Sequence, residues 1–224
     1  MEKKYILTEE TKEVCGHILH RIQAMRDFGG VQKGDLGGWV ESEENLSRDG
    51  TCWVYGNGRV FGDGRVFGDG RVYSNGWVYG NGRVFDNGWV FDNGRVFGYG
   101  RVFGDGKVFD NGKVYGDGRV YGNGRVYGNG KVYGNGRVYG NAKIGFNAYI
   151  SSPRSYFVQG PIGSRDDFLT CYLDKDKKIY AVTGCFSGTL EEFEKKVKET
   201  HGSNKHAKQY LKAAEMARVM LSGD

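Results

Sequence analysis

Val54-Tyr55-Gly56-Asn57-Gly58-Arg59-Val60-Phe61-Gly62-Asp63-Gly64-Arg65 opens a run in which valine or isoleucine recurs at every sixth residue up to Ile150, seventeen positions without a slip. The unit is clearest at Val120-Tyr121-Gly122-Asn123-Gly124-Arg125. A period of six matches neither the 3.6-residue repeat of a helix nor the two-residue repeat of a flat strand. It suits a chain that coils around a three-sided core, one side per hexapeptide. Within each unit the Arg-Val-aromatic stretch has strand propensity, and the Gly/Asp-Asn/Asp-Gly stretch is turn chemistry. Alternation along the strand sends the valine inward and its two neighbours outward. Such a solenoid buries a core only by stacking coil on coil, and it needs capped ends.

The bulk composition excludes several classes. Glycine is abundant, 39 of 224 residues, but it does not recur every third residue and there are only two prolines, so collagen is excluded. A strict apolar period also argues against disorder. The net charge of +5 is uneven. Residues 1–52 carry seven Lys/Arg against ten Asp/Glu, residues 53–150 thirteen against seven, and residues 151–224 twelve against ten. The positive middle suits an anionic partner, although a solvated face is the default for such a surface. Cys15, Cys52, Cys171 and Cys185 lack metal or disulfide spacing. Reduced thiols in a cytoplasmic setting are expected, which would be the host-cell cytoplasm if the chain is phage-encoded. The start MEKKYILTEE has no apolar leader segment, and no apolar run is long enough for a membrane span.

The repeat resembles the hexapeptide-repeat family of left-handed β-helices. The match is tightest at Ile144-Gly145-Phe146-Asn147-Ala148-Tyr149 followed by Ile150. That resemblance implies a mainly β fold, a left-handed parallel β-helix with three hexapeptides per coil. The expected organisation is an N-terminal β cap over residues 1–52, the β-helix over 53–150, and a small C-terminal ββαα domain over 151–224. One position departs from the family. The inward small residue is Gly in fourteen successive units from Gly58 to Gly136, and only Ala142 and Ala148 conform. Each glycine costs about 0.5–1 kcal/mol relative to alanine in regular structure. Either glycine permits a tighter corner in this aromatic-rich version, or the chain is an altered relative of an alanine-bearing parent.

The layout also resembles a group of uncharacterised, often prophage-borne hexapeptide-repeat proteins. The residues that carry this are Gly37-Gly38-Trp39-Val40, Asn45-Leu46-Ser47 and Cys52-Trp53-Val54, with Gly163 to Phe168 and Gly184 to Thr189 in the tail.

With eighteen residues per coil, every third unit shares a face. One face stacks Arg65, Arg83, Arg101, Arg119 and Arg137 beside Phe67, Phe85, Phe103, Tyr121 and Tyr139. The second carries Trp53, Arg71, Trp89, Lys107, Arg125 and Lys143, and the third Arg59, Trp77, Arg95, Lys113, Lys131 and Tyr149. The first face is the candidate anion- and base-binding surface, because guanidinium forks suit phosphates and aromatic rings stack on bases. The same rows arise from repeat duplication alone, with arginine stems packed over rings.

No catalytic set emerges. Hexapeptide-repeat acyltransferases use a histidine as general base, whereas this chain has only His17, His20, His201 and His206, none between 21 and 200. A transferase would have to borrow a histidine from a subunit end beside the coil groove. Cys15 and His17 share a strand side but are too few for a metal site, so no metal and no cofactor are expected. Cys52 takes an inward core position.

At the ends, residues 4–8 and 15–25 read as strands of a hairpin over the first coil, joined by a polar turn. Val40 and Leu46 read as an incomplete first rung. Phe168–Leu173 and Ile179–Thr183 read as strands. Thr189-Leu190-Glu191-Glu192 has capping-box spacing and opens a helix, and a second helix follows from Lys205 to Leu221 with a broad apolar surface that would cap the prism or meet a second subunit. Ser164, Arg165 and Asp166 lie in a polar loop and form a candidate recognition site for an anion or acidic protein. The function expected from these features is a non-enzymatic phage or prophage binding protein. It would form a homo-oligomer, a dimer or trimer, and block a host protein or sequester a nucleotide ligand in counter-defence. The alternatives are an acyl-CoA-dependent acyltransferase and a nucleic-acid-binding protein.

Overall fold

The computed structural model describes residues 3–222. Each hexapeptide contributes a two-residue strand that pairs in parallel with the strands eighteen residues away. Arg101–Val102, for example, lies between Arg83–Val84 and Arg119–Val120. The strands assemble into three sheets, one per face, and the valines between them are fully buried. The result is a left-handed parallel β-solenoid of hexapeptide-repeat type. Four-residue turns join the faces. In the turn after Val96, the Gly100 amide donates to the Phe97 carbonyl at 3.0 Å, and Gly98 sits at φ 60°. Ser74, Asp86, Asp92, Asp110 and Phe146 occupy that left-handed position in other units, where Phe146 has none of the local hydrogen bonding that eases Asp.

The inward glycines have a direct steric cause. A Cβ placed on Gly82, Gly88, Gly94 or Gly100 would stand 2.5 Å from the valine carbonyl oxygen of the next coil. That distance is well inside van der Waals contact, so the coils stack only because no side chain intervenes. Ala142 and Ala148 lie in the last units, with no further coil above them. The tighter corner is therefore the physical account of the glycines.

The first rung is complete. Val40 pairs with Val60, Leu46 bridges Val66, and Val54 pairs with Val72. The two extra residues between Leu46 and Val54 are taken up in one long corner. Lys4 plugs it: its ammonium reaches the Ser47 carbonyl at 3.2 Å and the Cys52 Sγ at 3.2 Å, and the residue is buried. Burial lowers the Lys4 pKa, opposed by the neighbouring Cys52.

The N-terminal hairpin runs from β1 (Tyr5–Val14) to β2 (His17–Ala24). The polar stretch Glu9–Glu13, expected to be the turn, instead extends β1 as an outer edge. The turn is Cys15-Gly16, with φ values of 53° and 80°, so Cys15 is not a strand residue beside His17. β2 pairs antiparallel with β3 (Leu36–Val40), and β3 pairs in parallel with Arg59–Val60. Tyr5 and Ile22 complete the solenoid core.

At the other end the strand count exceeds the expected pair. Tyr156–Ile162, Asp167–Leu173, Ile179–Thr183 and Phe186–Thr189 form a four-stranded antiparallel sheet in sequence order. One face of this sheet closes the solenoid: Tyr172 and Val182 join its core, and Thr170 Oγ1 accepts from the Lys143 amide at 3.1 Å. The other face buries α1 (Leu190–His201) and α2 (Lys205–Leu221). The sheet, not the helices, therefore caps the prism. Thr189 and Glu192 form the capping box, while Arg218 pairs with Glu194 and ties α2 to α1. In α2 Leu211 is only partly covered, and Ala213, Ala214 and Ala217 take the core. Met216, Val219 and Met220 are exposed.

The glycine constraint yields a test. Gly100→Ala should lower stability by several kcal/mol, more than the ~1 kcal/mol that a propensity change could offset. Ala142→Gly should cost about 1 kcal/mol or less. Denaturant melts of the two variants check this ordering.

Candidate functional site

The arginine face is assembled as its spacing requires. Arg65, Arg83, Arg101, Arg119 and Arg137 lie in register on the five-stranded sheet. Next to them Phe67, Phe85, Phe103, Tyr121 and Tyr139 stack with centroids 4.8–5.2 Å apart and nearly parallel planes. Stacked aromatic rows also run along the other faces, as in Phe61–Tyr79–Phe97–Tyr115–Tyr133. The aromatic row is thus a property of the repeat and does not single out one face. The cations differ between faces. Arg59 and Arg95 cover Trp77 from both sides at 4.8 and 5.0 Å, and Arg71 and Lys107 cover Trp89. On the arginine face the row is unbroken by tryptophan, and the one ion pair among the described residues is Arg65 with Glu44 at 3.8 Å. Glu44, Arg65, Phe67 and Arg83 line a shallow groove of about 370 Å³ at its N-terminal end.

The recognition loop falls between the first two strands of the terminal sheet, Tyr156–Ile162 and Asp167–Leu173. Gly163 and Asp166 hold left-handed turn positions, with φ values of 78° and 47°. Arg165 borders a cavity of about 220 Å³ whose floor includes Phe193, Val197 and Tyr210. Arg165 Nη1 lies 3.7 Å from the exposed Cys185 thiol, and Ser164 is on the same rim. Asp166 does not line this cavity; Asp167 does. Burial works to raise the Asp167 carboxyl, but the Phe168 amide and the Lys143 ammonium at 3.1 Å outweigh it, so its pKa is lowered.

The histidines are split between the ends. His201 rests against Tyr210 and His206, and His20 Nδ1 faces the Thr8 carbonyl at 3.2 Å. His17 is placed differently. Its Nδ1 lies 2.9 Å from Glu41 Oε1, and its ring sits 5.0 Å from the ring of Phe61 in the coil above. The other Glu41 oxygen accepts from the Gly62 amide at 2.7 Å. The His17 bond and the Gly62 amide hold the Glu41 pKa down against partial burial. His17 Nε2 makes no hydrogen bond among the described residues, and 38% of the side chain is exposed. Sequence spacing offers no signal for this contact, because β2 and β3 bring the two residues together across an antiparallel register. Among the described residues no group of three or more His, Cys, Asp or Glu side chains is placed to hold a metal ion.

Stacked, largely unpartnered arginines should repel one another. At low ionic strength Arg101→Gln should leave stability unchanged or raise it by about 0.5 kcal/mol, whereas Arg95→Gln should lower it by a similar amount through the loss of its Trp77 contact. Thermal melts at low and high salt distinguish the two.

No protein-family model matches the chain. A segment of 61 residues is 34% identical to the uncharacterized acetyltransferase YdcK of Escherichia coli (strain K12), covering 24% of this chain and 19% of that protein. The chain thus spans about a fifth of the length of that relative. The relation is weak and accords with the hexapeptide-repeat solenoid already described.

Proposed function

We propose that this chain is an acyl-transfer protein in which His17 is the general base, oriented by Glu41. The observation that carries the reading is the 2.9 Å contact between His17 Nδ1 and Glu41 Oε1 beside the first coils. A carboxylate on Nδ1 fixes the tautomer that leaves Nε2 as the acceptor. In the proposed reaction Nε2 takes the proton of an acceptor hydroxyl or amine as that atom bonds to the carbonyl carbon of an acyl thioester. The C–S bond then breaks, and the departing thiolate receives the proton from the imidazolium. Glu41 remains ionised throughout and stabilises the imidazolium. The acetyltransferase description of the relative supports the reaction class. The acceptor groove would be the strip between the hairpin tip and the aromatic row that starts at Phe61.

A second reading keeps the solenoid as a non-enzymatic binding surface, for instance of a phage or prophage protein that sequesters a nucleotide, binds nucleic acid or blocks a host protein. The unbroken arginine row, with Glu44 as its ionic partner, favours it.

Thiol release from acetyl-coenzyme A, measured with glucosamine and lysine as acceptors, tests the first reading. His17→Ala should lower turnover by about a hundredfold or more, and Glu41→Gln should lower kcat with little change in KM. Failure of the protein to bind acetyl-coenzyme A, or turnover that survives His17→Ala, would overturn it. For the second reading, affinity for single-stranded oligonucleotides should fall steeply with salt. Charge reversal of Arg83, Arg101 and Arg119 should weaken it more than reversal of Arg71 and Arg125; equal effects remove the row as a site.

A further inference from the structure

The turn residue two places before each outward strand residue differs between the arginine face and the third face. Ahead of the arginine face it is Asp63, Asn81, Tyr99, Asp117 and Asn135. Ahead of the third face it is asparagine at every coil: Asn57, Asn75, Asn93, Asn111, Asn129 and Asn147. Parallel register stacks Arg95, Lys113 and Lys131 directly above one another, at a rung spacing of about 4.8 Å. The amides of Asn93, Asn111 and Asn129 stand alongside, and these six side chains line a trough of about 210 Å³. The trough continues for about 360 Å³ past Asn147 and Tyr149 to Lys175 of the terminal sheet.

No carboxylate lines either part. Asp92 and Asp110 occupy the same edge one residue back, on left-handed turn positions outside the trough, and Asp110 Oδ2 faces the Gly128 amide at 3.4 Å. Lys175 is engaged by Asp176 at 3.7 Å. The Arg95 guanidinium lies over Trp77 at 5.0 Å and the Lys131 ammonium over Tyr149 at 5.3 Å, so a ring and not a carboxylate is the neighbour of each charge among the described residues. This surface combines a row of cations with a row of neutral amides that can each donate two hydrogen bonds. Phosphoryl groups carry three acceptor oxygens and concentrated charge, and charge-assisted bonds to them are the strong ones. A single carboxylate would engage one rung and leave the rest unused.

We infer that this asparagine–cation trough binds a linear oligophosphate, free or as the tail of a nucleotide. The phosphoryl chain lies along the solenoid axis, with successive groups on Arg95, Lys113 and Lys131. The site does not depend on the acyl-transfer reading, since neither His17 nor Glu41 takes part. Tyr149 ends the trough edge-on to Tyr133, with centroids 4.7 Å apart, so it offers no open stacking platform and the base contributes little.

Isothermal titration of the full chain with inorganic tripolyphosphate, ATP and adenosine, at 50 and 200 mM salt, tests this. Tripolyphosphate and ATP should bind within about threefold of each other, weaken at the higher salt, and adenosine should give no heat. Lys113→Gln combined with Lys131→Gln should weaken tripolyphosphate by about tenfold or more. Asn111→Asp, which keeps the shape and adds one negative charge, should also weaken it. Arg71→Gln with Arg125→Gln, on the second face, should not. Thermal melts establish that each variant is folded. Absence of tripolyphosphate binding at 50 mM salt, adenosine binding as tightly as ATP, or equal losses from the two double variants would overturn the inference. Loss of acetyl-coenzyme A turnover in His17→Ala with tripolyphosphate binding intact separates this site from the proposed reaction centre.

Discussion

Two backbone hydrogen bonds per side hold each coil to the next, and the rest of the molecule is arranged so that they can form. The amide of the cation position donates to the glycine carbonyl one coil on, as Arg101 does to Gly118 at 2.9 Å, and the aromatic amide donates to the valine carbonyl, as Phe103 does to Val120 at 3.0 Å. In the space between these bonds the inward glycine meets the valine carbonyl so closely that no Cβ fits. The entropic cost of glycine is thus offset by a hydrogen-bond ladder that a larger residue would prise open. Once the interior takes only an aliphatic residue and a small residue per unit, chemical variety is confined to the outer surface and to the two ends.

That division explains what the sequence made legible. The seventeen-position period places Val54 to Ile150 in the core and, at eighteen residues per coil, assigns Arg65 to Arg137 to one sheet; the strand register agrees. The ends obey no period. Tyr156–Ile162 runs through Gly160-Pro161, and Phe186–Thr189 contains Ser187-Gly188. Neither is expected as a strand from the sequence, and pairing with a neighbouring strand outweighs local preference there. β1 runs on through Glu9–Glu13 because its outer edge has no core to satisfy. The His17–Glu41 contact was hidden for a different reason. It depends on how the hairpin lies over the first coils, which no local spacing encodes.

The three faces share one backbone and differ in how they manage positive charge. Tryptophan separates cations in parts of the second and third faces and takes up their charge through its ring. The arginine face has no such spacer, and acidic turn residues stand beside it in the chain. The asparagine edge has neither spacer nor acid along its trough from Arg95 to Lys131. Identical backbone geometry therefore supports surfaces of quite different electrostatic character, decided by one turn residue and one strand residue per coil.

The long corner between Leu46 and Val54, closed by Lys4, is the place where the count of eighteen is broken, and beyond it every coil repeats the backbone register of its neighbour. A genetic exchange between repeats would insert or delete a whole coil and leave each remaining strand pairing in register. The distance from the His17 end to the cavity beside Arg165 would then change only in steps of one rung, about 4.8 Å. In that sense the chain is a ruler graduated in rungs, and its two unique ends are the marks between which a length is set.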